Sequence, residues 1–207
     1  MLVAAAQGLS TAIVDLSDGE LSTNGDPSRR AQERDAATAL MSLTERLSLS
    51  LPDGGLGVDE SHRGAVVGAL RELRPRVVLA PFGDDRHPDH AASARLVRDA
   101  CFLAGLRRYG SGRPHRTETV YRYMLHTPFD PRVVVDVAPV WERRRQLLRV
   151  YESQVSRGAG DESTALNDDM FVAMLEARAV HYGSMAGVTH GEPFDTDGPV
   201  LLQKLLG

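Results

Sequence analysis

The sequence predicts an α/β protein in which a mostly parallel sheet carries helices on both faces. Three observations carry that expectation. Short β-branched segments alternate with segments of helical period, and no internal repeat interrupts them. The run "RVVLA", Arg76 to Ala80, is continuously apolar, as expected of a strand covered on both faces. The chain has 207 residues and 42% hydrophobic content, enough to bury one full core, so a single domain over 1–207 is expected.

The elements follow in order. "TAIVDL" (Thr11 to Leu16) is a β-branched strand that ends in the turn-rich "SDGELSTNGDPS", and "RRAQERDAATALM" (Arg29 to Met41) is a helix. "LSLSL" (Leu47 to Leu51) alternates like a strand and stops at "PDGG". "HRGAVVGALREL" is a helix that Pro75 ends, before the strand "RVVLA". "VYRYML" and "RVVVDV" read as further strands, "WERRRQLLRVYESQ" and "DDMFVAMLEARAVHYG" as helices. In such a fold ligands bind beyond the carboxyl ends of the strands. That location is where "PFGDDRHPDHAASARLV" (Pro81 to Val97) lies, directly after "VVLA".

Composition excludes several classes of function. A net charge of −4, from 24 basic and 28 acidic residues, leaves no basic excess to hold a polyanion, so nucleic acid is not an expected partner. The triple arginine, Arg143 to Arg145, sits in an amphipathic helix after Trp141 and reads as a solvated face. The single Cys101 excludes an internal disulfide and fits a reducing compartment. The start "MLVAAAQGLSTA" has no Lys or Arg before its short apolar run, unlike a secretory signal, and no stretch approaches the ~18 apolar residues of a membrane span. A soluble cytoplasmic chain with no membrane partner is expected. No GxGxxG or P-loop follows any strand, which disfavours a nucleotide-binding role.

The histidine motif carries the chemistry. His90, Ala94, Val97, Cys101 and Ala104 recur at steps of four and three, which places His90 on the apolar stripe of the helix, at its N-terminal end. Pro88 suits the first helical position and Asp89 the first turn or the cap. Taken singly, Asp89 is a cap, His90 a half-buried histidine and His87 a loop residue. Two imidazoles and a carboxylate converging on the ligand-binding edge point instead to a metal or acid-base site.

"DDRHPDHAA" resembles the HxDH motif of the LmbE/PIG-L type zinc-dependent N-deacetylases, which remove acetyl groups from N-acetylglucosamine conjugates. "VDLSDGELSTNGDPSRRAQE", "LPDG", "RPRVVLAP", "VVVDVAPVWERRRQLLRVYESQ" and "ARAVHYGSMAGVTHGEPF" are similar to one branch, the bacillithiol-pathway deacetylases acting on N-acetylglucosaminyl malate. The resemblance implies a Rossmann-like sheet and a Zn2+ cofactor. It makes His90 a zinc ligand and His87 the imidazole that, protonated, stabilises the tetrahedral oxyanion. Asp89 would then hold His87 in its tautomer. Arg30, in the "RAQE" that matches the family's RxxE element, and Arg86 would contact the substrate, since a guanidinium fork suits a malate carboxylate. The expected partners are a small-molecule glycoside substrate and further copies of the chain in a homo-oligomer.

One departure is large. Family members begin with a strand ending in AHPDDxE, which supplies a His and an Asp as ligands and a second Asp as base. Nothing like it occurs here, and "LVAAAQG" (Leu2 to Gly8) resembles the helix that follows it. The expectation is a domain lacking its first, central strand, inactive as it stands and poorly folded. The competing reading is a sugar-binding module that has lost the metal. His62, His115, His126, His181 and His190 have no ligand-like spacing among themselves and read as surface or core histidines, although "GVTHGEPF" puts His190 where the branch more often has a tyrosine.

Overall fold

The computed structural model describes residues 1–158 and 160–200. Its first elements are α1 (Leu2–Ala6), β1 (Ala12–Asp15), α2 (Pro27–Met41), β2 (Glu45–Ser48), α3 (Glu60–Leu73), β3 (Val77–Pro81) and α4 (Pro88–Ala104). There follow β4 (Thr119–Tyr123), β5 (Val133–Asp136), a 3-10 turn at Ala138–Val140, α5 (Trp141–Val150), α6 (Glu152–Val155), α7 (Asp169–Ala186) and β6 (Gly191–Thr196). The α/β class is as predicted. Two compact units divide the chain, one made of Met1–Gly55 with Val135–Glu192, the other of Leu56–Val134 with Pro193 onward.

In the first unit β1 and β2 pair in parallel, from Ala12 opposite Glu45 to Asp15 opposite Ser48. A parallel pair needs a crossover, and α2 supplies it. Asp26 starts that helix by accepting the Arg29 N–H at 2.9 Å, and Ser42 ends it in the left-handed region at φ 56°. The strand expected at Leu47–Leu51 begins two residues earlier and stops at Ser48. The cause is Ser50, whose φ of 48° breaks the ladder, although the Leu49 and Leu51 N–H groups still donate to Asp15 and Leu16.

"WERRRQLLRVYESQ" is two helices rather than one, broken at Tyr151. The buried Glu33 carboxylate explains the break: it accepts both the Ser153 N–H and the Ser153 hydroxyl, each at 2.7 Å, and so turns the chain toward α2. Val137, Trp141 and Ala179 form the buried cluster of this unit, with Val3, Val135 and Val140 packed against it.

Gly183 lets α7 approach the segment that follows it. A Cβ there would lie 2.8 Å from the Val188 carbonyl oxygen and 2.9 Å from the His190 and Gly191 nitrogens, all backbone atoms that cannot swing aside. In an open helix Gly→Ala stabilises by about 1 kcal/mol. Gly183→Ala is expected to do the reverse, losing roughly 1–3 kcal/mol to overpacking. Thermal unfolding should show Tm falling by several degrees, at about 2–4 °C per kcal/mol for a chain of this size.

In the second unit β3 and β4 pair in parallel, Val77 opposite Thr119 through Pro81 opposite Tyr123, and α4 packs beside α3. The buried Arg71 near the end of α3 donates to the Ala104 and Leu106 carbonyls at 3.2 and 2.8 Å, pinning the C-terminal end of α4. The strand order is β3-β4-β6-β5. Sequence pattern does not announce β6, because Gly, Pro and Asp in "GEPFDT" are poor strand formers. Tertiary partners override that preference. β6 runs antiparallel to β4, Phe194 packs edge-on against Tyr121 with ring centroids 6.1 Å apart, and Arg122 pairs with Asp195 at 2.7 Å.

The apolar face of α4 is also rotated from the expected one. Asp89, Ser93, Leu96, Ala100 and Ala104 are buried, whereas His90, Val97 and Cys101 sit half-exposed at its border. One side of His90 therefore remains open for chemistry. No helix among the described residues is long and apolar enough to cross a membrane.

Candidate active site

The site grows from the end of β3. Past Pro81 the chain stays beside β4 for one more hydrogen bond, from the Phe82 N–H to the Tyr123 carbonyl at 2.9 Å, and then turns. Asp85 makes the turn by accepting the His87 N–H at 2.9 Å. His87, and not Asp89, is the N-cap of α4. Its Nδ1 accepts the Asp89 N–H at 3.2 Å, with Pro88 in the first helical turn. The Asp89 carboxylate is buried and accepts the Leu56 N–H at 3.2 Å.

Asp85 is the hub. Its Oδ1 lies 3.0 Å from Nδ1 of His90 and 3.0 Å from Nδ1 of His126, and its Oδ2 accepts the His126 N–H at 3.0 Å. The side chain is only 3% exposed, against 30% for His90 and 23% for His126. Burial raises the Asp85 pKa, but the N–H groups of His87 and His126 and the two rings outweigh it and hold the carboxyl below its ordinary range. His90 is displaced downward by its own burial, a shift that the neighbouring imidazoles reinforce and Asp85 opposes. A neutral imidazole is the form that binds metal.

The rings of His87, His90 and His126 stack in a column. Centroids of the first pair are 4.6 Å apart with planes at 25°, and those of the second pair 5.4 Å apart with planes at 8°. Asp85, His90 and His126 each offer one ligand atom, all within 4.8 Å of one another. Two imidazole nitrogens and a carboxylate oxygen suit zinc, and the donor set fits such an ion. The structure thus brings His87, Asp89 and His90 of the histidine motif together with Asp85 and His126, two residues that the sequence pattern does not mark as ligands. Arg86, two positions before Pro88, is exposed.

The other predicted residue, Arg30, belongs to the first unit. Its Nη1 donates to the Gly19 carbonyl at 2.7 Å, and a Cβ on Gly19, whose φ is 73°, would collide with the guanidinium at 2.5 Å. Glycine at that position is therefore required to seat Arg30.

The remaining histidines do structural work. His62 Nδ1 accepts the Gly57 N–H at 3.1 Å, His115 Nε2 donates to the Pro75 carbonyl at 2.8 Å, and the exposed His181 packs edge-on against Tyr182. His190 stacks on Trp141 with centroids 4.5 Å apart, and its Nε2 donates to Glu176 at 3.0 Å. Arg145, at 2.8 Å, first pulls the Glu176 pKa down, to about 2; burial opposes it, and His190 and Trp141 add to the pull. The carboxylate should stabilise the fold above pH 4.5, its ordinary value, and lose that contribution as pH falls toward about 2. The Tm difference between wild type and Glu176→Gln, measured down that range, should shrink to nothing at the acid end.

Comparison with known proteins adds four findings. The family model described as "PIG-L: GlcNAc-PI de-N-acetylase" matches residues 1–101. A diacetylchitobiose deacetylase of Thermococcus kodakarensis is 26% identical over 184 residues, 84% of this chain, and the chain spans 65% of that relative's length. The conserved protein TT1542 of Thermus thermophilus superposes with a TM-score of 0.88 at 36% identity, covering 99% of this chain and 89% of that one. GalB, the 4-carboxy-2-hydroxymuconate hydratase of Pseudomonas putida, shares the fold at a TM-score of 0.77 and 19% identity, over 99% of this chain and 90% of its own. Fold alone therefore leaves the reaction open.

Proposed function

We propose that this chain is a PIG-L type protein and a zinc-dependent N-deacetylase that hydrolyses the acetamide of an N-acetylglucosamine conjugate, a reading supported by the match of the family model to residues 1–101. N-acetylglucosaminyl malate, the substrate of the branch its motifs resemble, is the proposed conjugate. The observation that carries the reading is His87. Its Nδ1 is occupied as acceptor of the Asp89 N–H, so the neutral ring carries its proton on Nε2, in a column with the imidazole proposed to hold the metal.

His90 would hold the zinc, with Asp85 and His126 beside it, and the ion when bound would supply a Lewis acid for the acetyl carbonyl. The chain's own residues have further proposed roles. His87 Nε2–H would donate a hydrogen bond to the oxygen that becomes negative as the carbonyl carbon turns tetrahedral. The Asp89 N–H keeps the ring from flipping, while its buried carboxylate ties the first turn of α4 to Leu56. The exposed Arg86 is proposed to meet a substrate carboxylate with paired N–H groups.

The general base and two further ligands belong, in the resemblance, to an AHPDDxE element that residues 1–207 do not contain. The test is acetate release, with and without a chelator, from N-acetylglucosaminyl malate, diacetylchitobiose and N-acetylglucosamine. It compares the 207-residue chain with one carrying that element ahead of Met1. Chelator-sensitive release from the malate conjugate by the longer chain is expected, with background release by the shorter. Sugar binding without turnover or zinc in either form would favour the binding-module reading. Release of equal rate from all three sugars would remove the malate assignment and leave the deacetylase.

A further inference from the structure

Asp85 meets more donors than a loop carboxylate ordinarily does. Its Oδ1 takes the His87 N–H at 2.9 Å and Nδ1 of both His90 and His126 at 3.0 Å, while Oδ2 takes the His126 N–H at 3.0 Å. An ionised carboxylate only accepts, so each ring nitrogen facing it must be an N–H. A neutral imidazole carries one such proton, and its other nitrogen is then a lone pair.

We infer that Asp85 is a positioning residue that fixes His90 and His126 as Nδ1–H tautomers, so that His90 offers Nε2 to the metal and His126 offers a second free Nε2 beside it. The inference rests on the proposal that His90 holds the metal, and it adds how that nitrogen is chosen. It also separates Asp85 from the ligands, although its oxygens lie close enough to be one. To coordinate an ion, Oδ1 would have to give up three donors in a site where the side chain is only 3% exposed. The stack on His87 fixes the plane of His90, and the hydrogen bond to Asp85 fixes its rotation within that plane. A carboxylate behind a ligating histidine does this in metal sites generally, and its loss weakens metal binding by about 10–100-fold.

The neighbouring ring, His87, has the opposite tautomer, because its Nδ1 accepts from the Asp89 N–H. One column of imidazoles therefore presents a proton donor at His87 and lone pairs at His90 and His126. Sequence spacing does not separate these roles.

The experiment is imidazole nitrogen NMR on isotope-labelled protein without metal, at a pH about 8 where free imidazole is neutral. Nδ1–H signatures are expected for both His90 and His126 and an Nε2–H signature for His87. An Nε2–H signature at His90 would overturn the inference, whatever the enzyme does. Titration with labelled cadmium should then show coupling to Nε2 of His90, whereas coupling to Nδ1, or loss of the Asp85 hydrogen bonds on binding, would make Asp85 a ligand and the inference wrong. Asp85→Asn is expected to mix the tautomers of both rings and to weaken zinc binding by about 10–100-fold. Should that variant unfold, the wild-type spectra still decide. Correct tautomers with no metal uptake would support the clamp and count against the metal reading on which the proposed function depends.

Discussion

His90→Ala, in protein carrying the AHPDDxE element ahead of Met1, is expected to bind zinc roughly a hundredfold more weakly than wild type and to emerge from desalting nearly free of metal. Structural zinc is held by apparent energies of about 10–16 kcal/mol, which over four ligands is roughly 3 kcal/mol each, or about two powers of ten. His90 is the imidazole with the geometry to supply one share. Its Nδ1 is tied to Asp85, its ring is held between two others, and burial lowers its pKa. The fold should survive the change, because the side chain is 30% exposed and the α4 cap is made by His87. Elemental analysis beside thermal unfolding checks both points. Equal zinc in wild type and variant would place the metal on other residues.

Local pattern was enough to locate most of the strands and helices, though not β6, because periodicity and turn residues are properties of neighbours in sequence. It failed where a distant partner decides. Ser50 breaks β2 by a backbone conformation that alternation does not reveal, and Glu33 bends the chain at Ser153 across a long stretch of sequence. The site divides the same way. His87, Asp89 and His90 lie in one short motif after an apolar strand, so their proximity at the strand end is legible in the sequence. His126 was not, since nothing local marks it.

The missing link is register. With Pro81 opposite Tyr123, Asp85 and His126 lie a few residues past the carboxyl ends of two adjacent parallel strands. The pairing of "VVLAP" with "TVYRY" in this register brings His126 to the motif. Asp85 stands inside the motif, but a carboxylate two residues before a histidine reads as an ordinary turn residue.

His87→Ala and His87→Asn, in the same longer chain, are expected to keep their zinc and to lose turnover by roughly 10²–10³-fold, the usual cost of removing one oxyanion donor. The loss should fall on kcat and kcat/KM together, since the interaction is made with charge that exists only in the transition state. Two substitutions are needed because His87 has two positions in this fold. As N-cap of α4 it accepts the Asp89 N–H through Nδ1, and through Nε2 it is proposed to face the substrate. Alanine removes both functions and should also destabilise the protein by about 1 kcal/mol. Asparagine, a favoured N-cap, restores the acceptor and the stability without supplying an imidazole proton. A normal Tm with depressed kcat in His87→Asn would therefore assign the catalytic loss to the ring itself. Near-wild-type turnover in that variant would reduce His87 to a cap and take the proton donor out of the proposed mechanism.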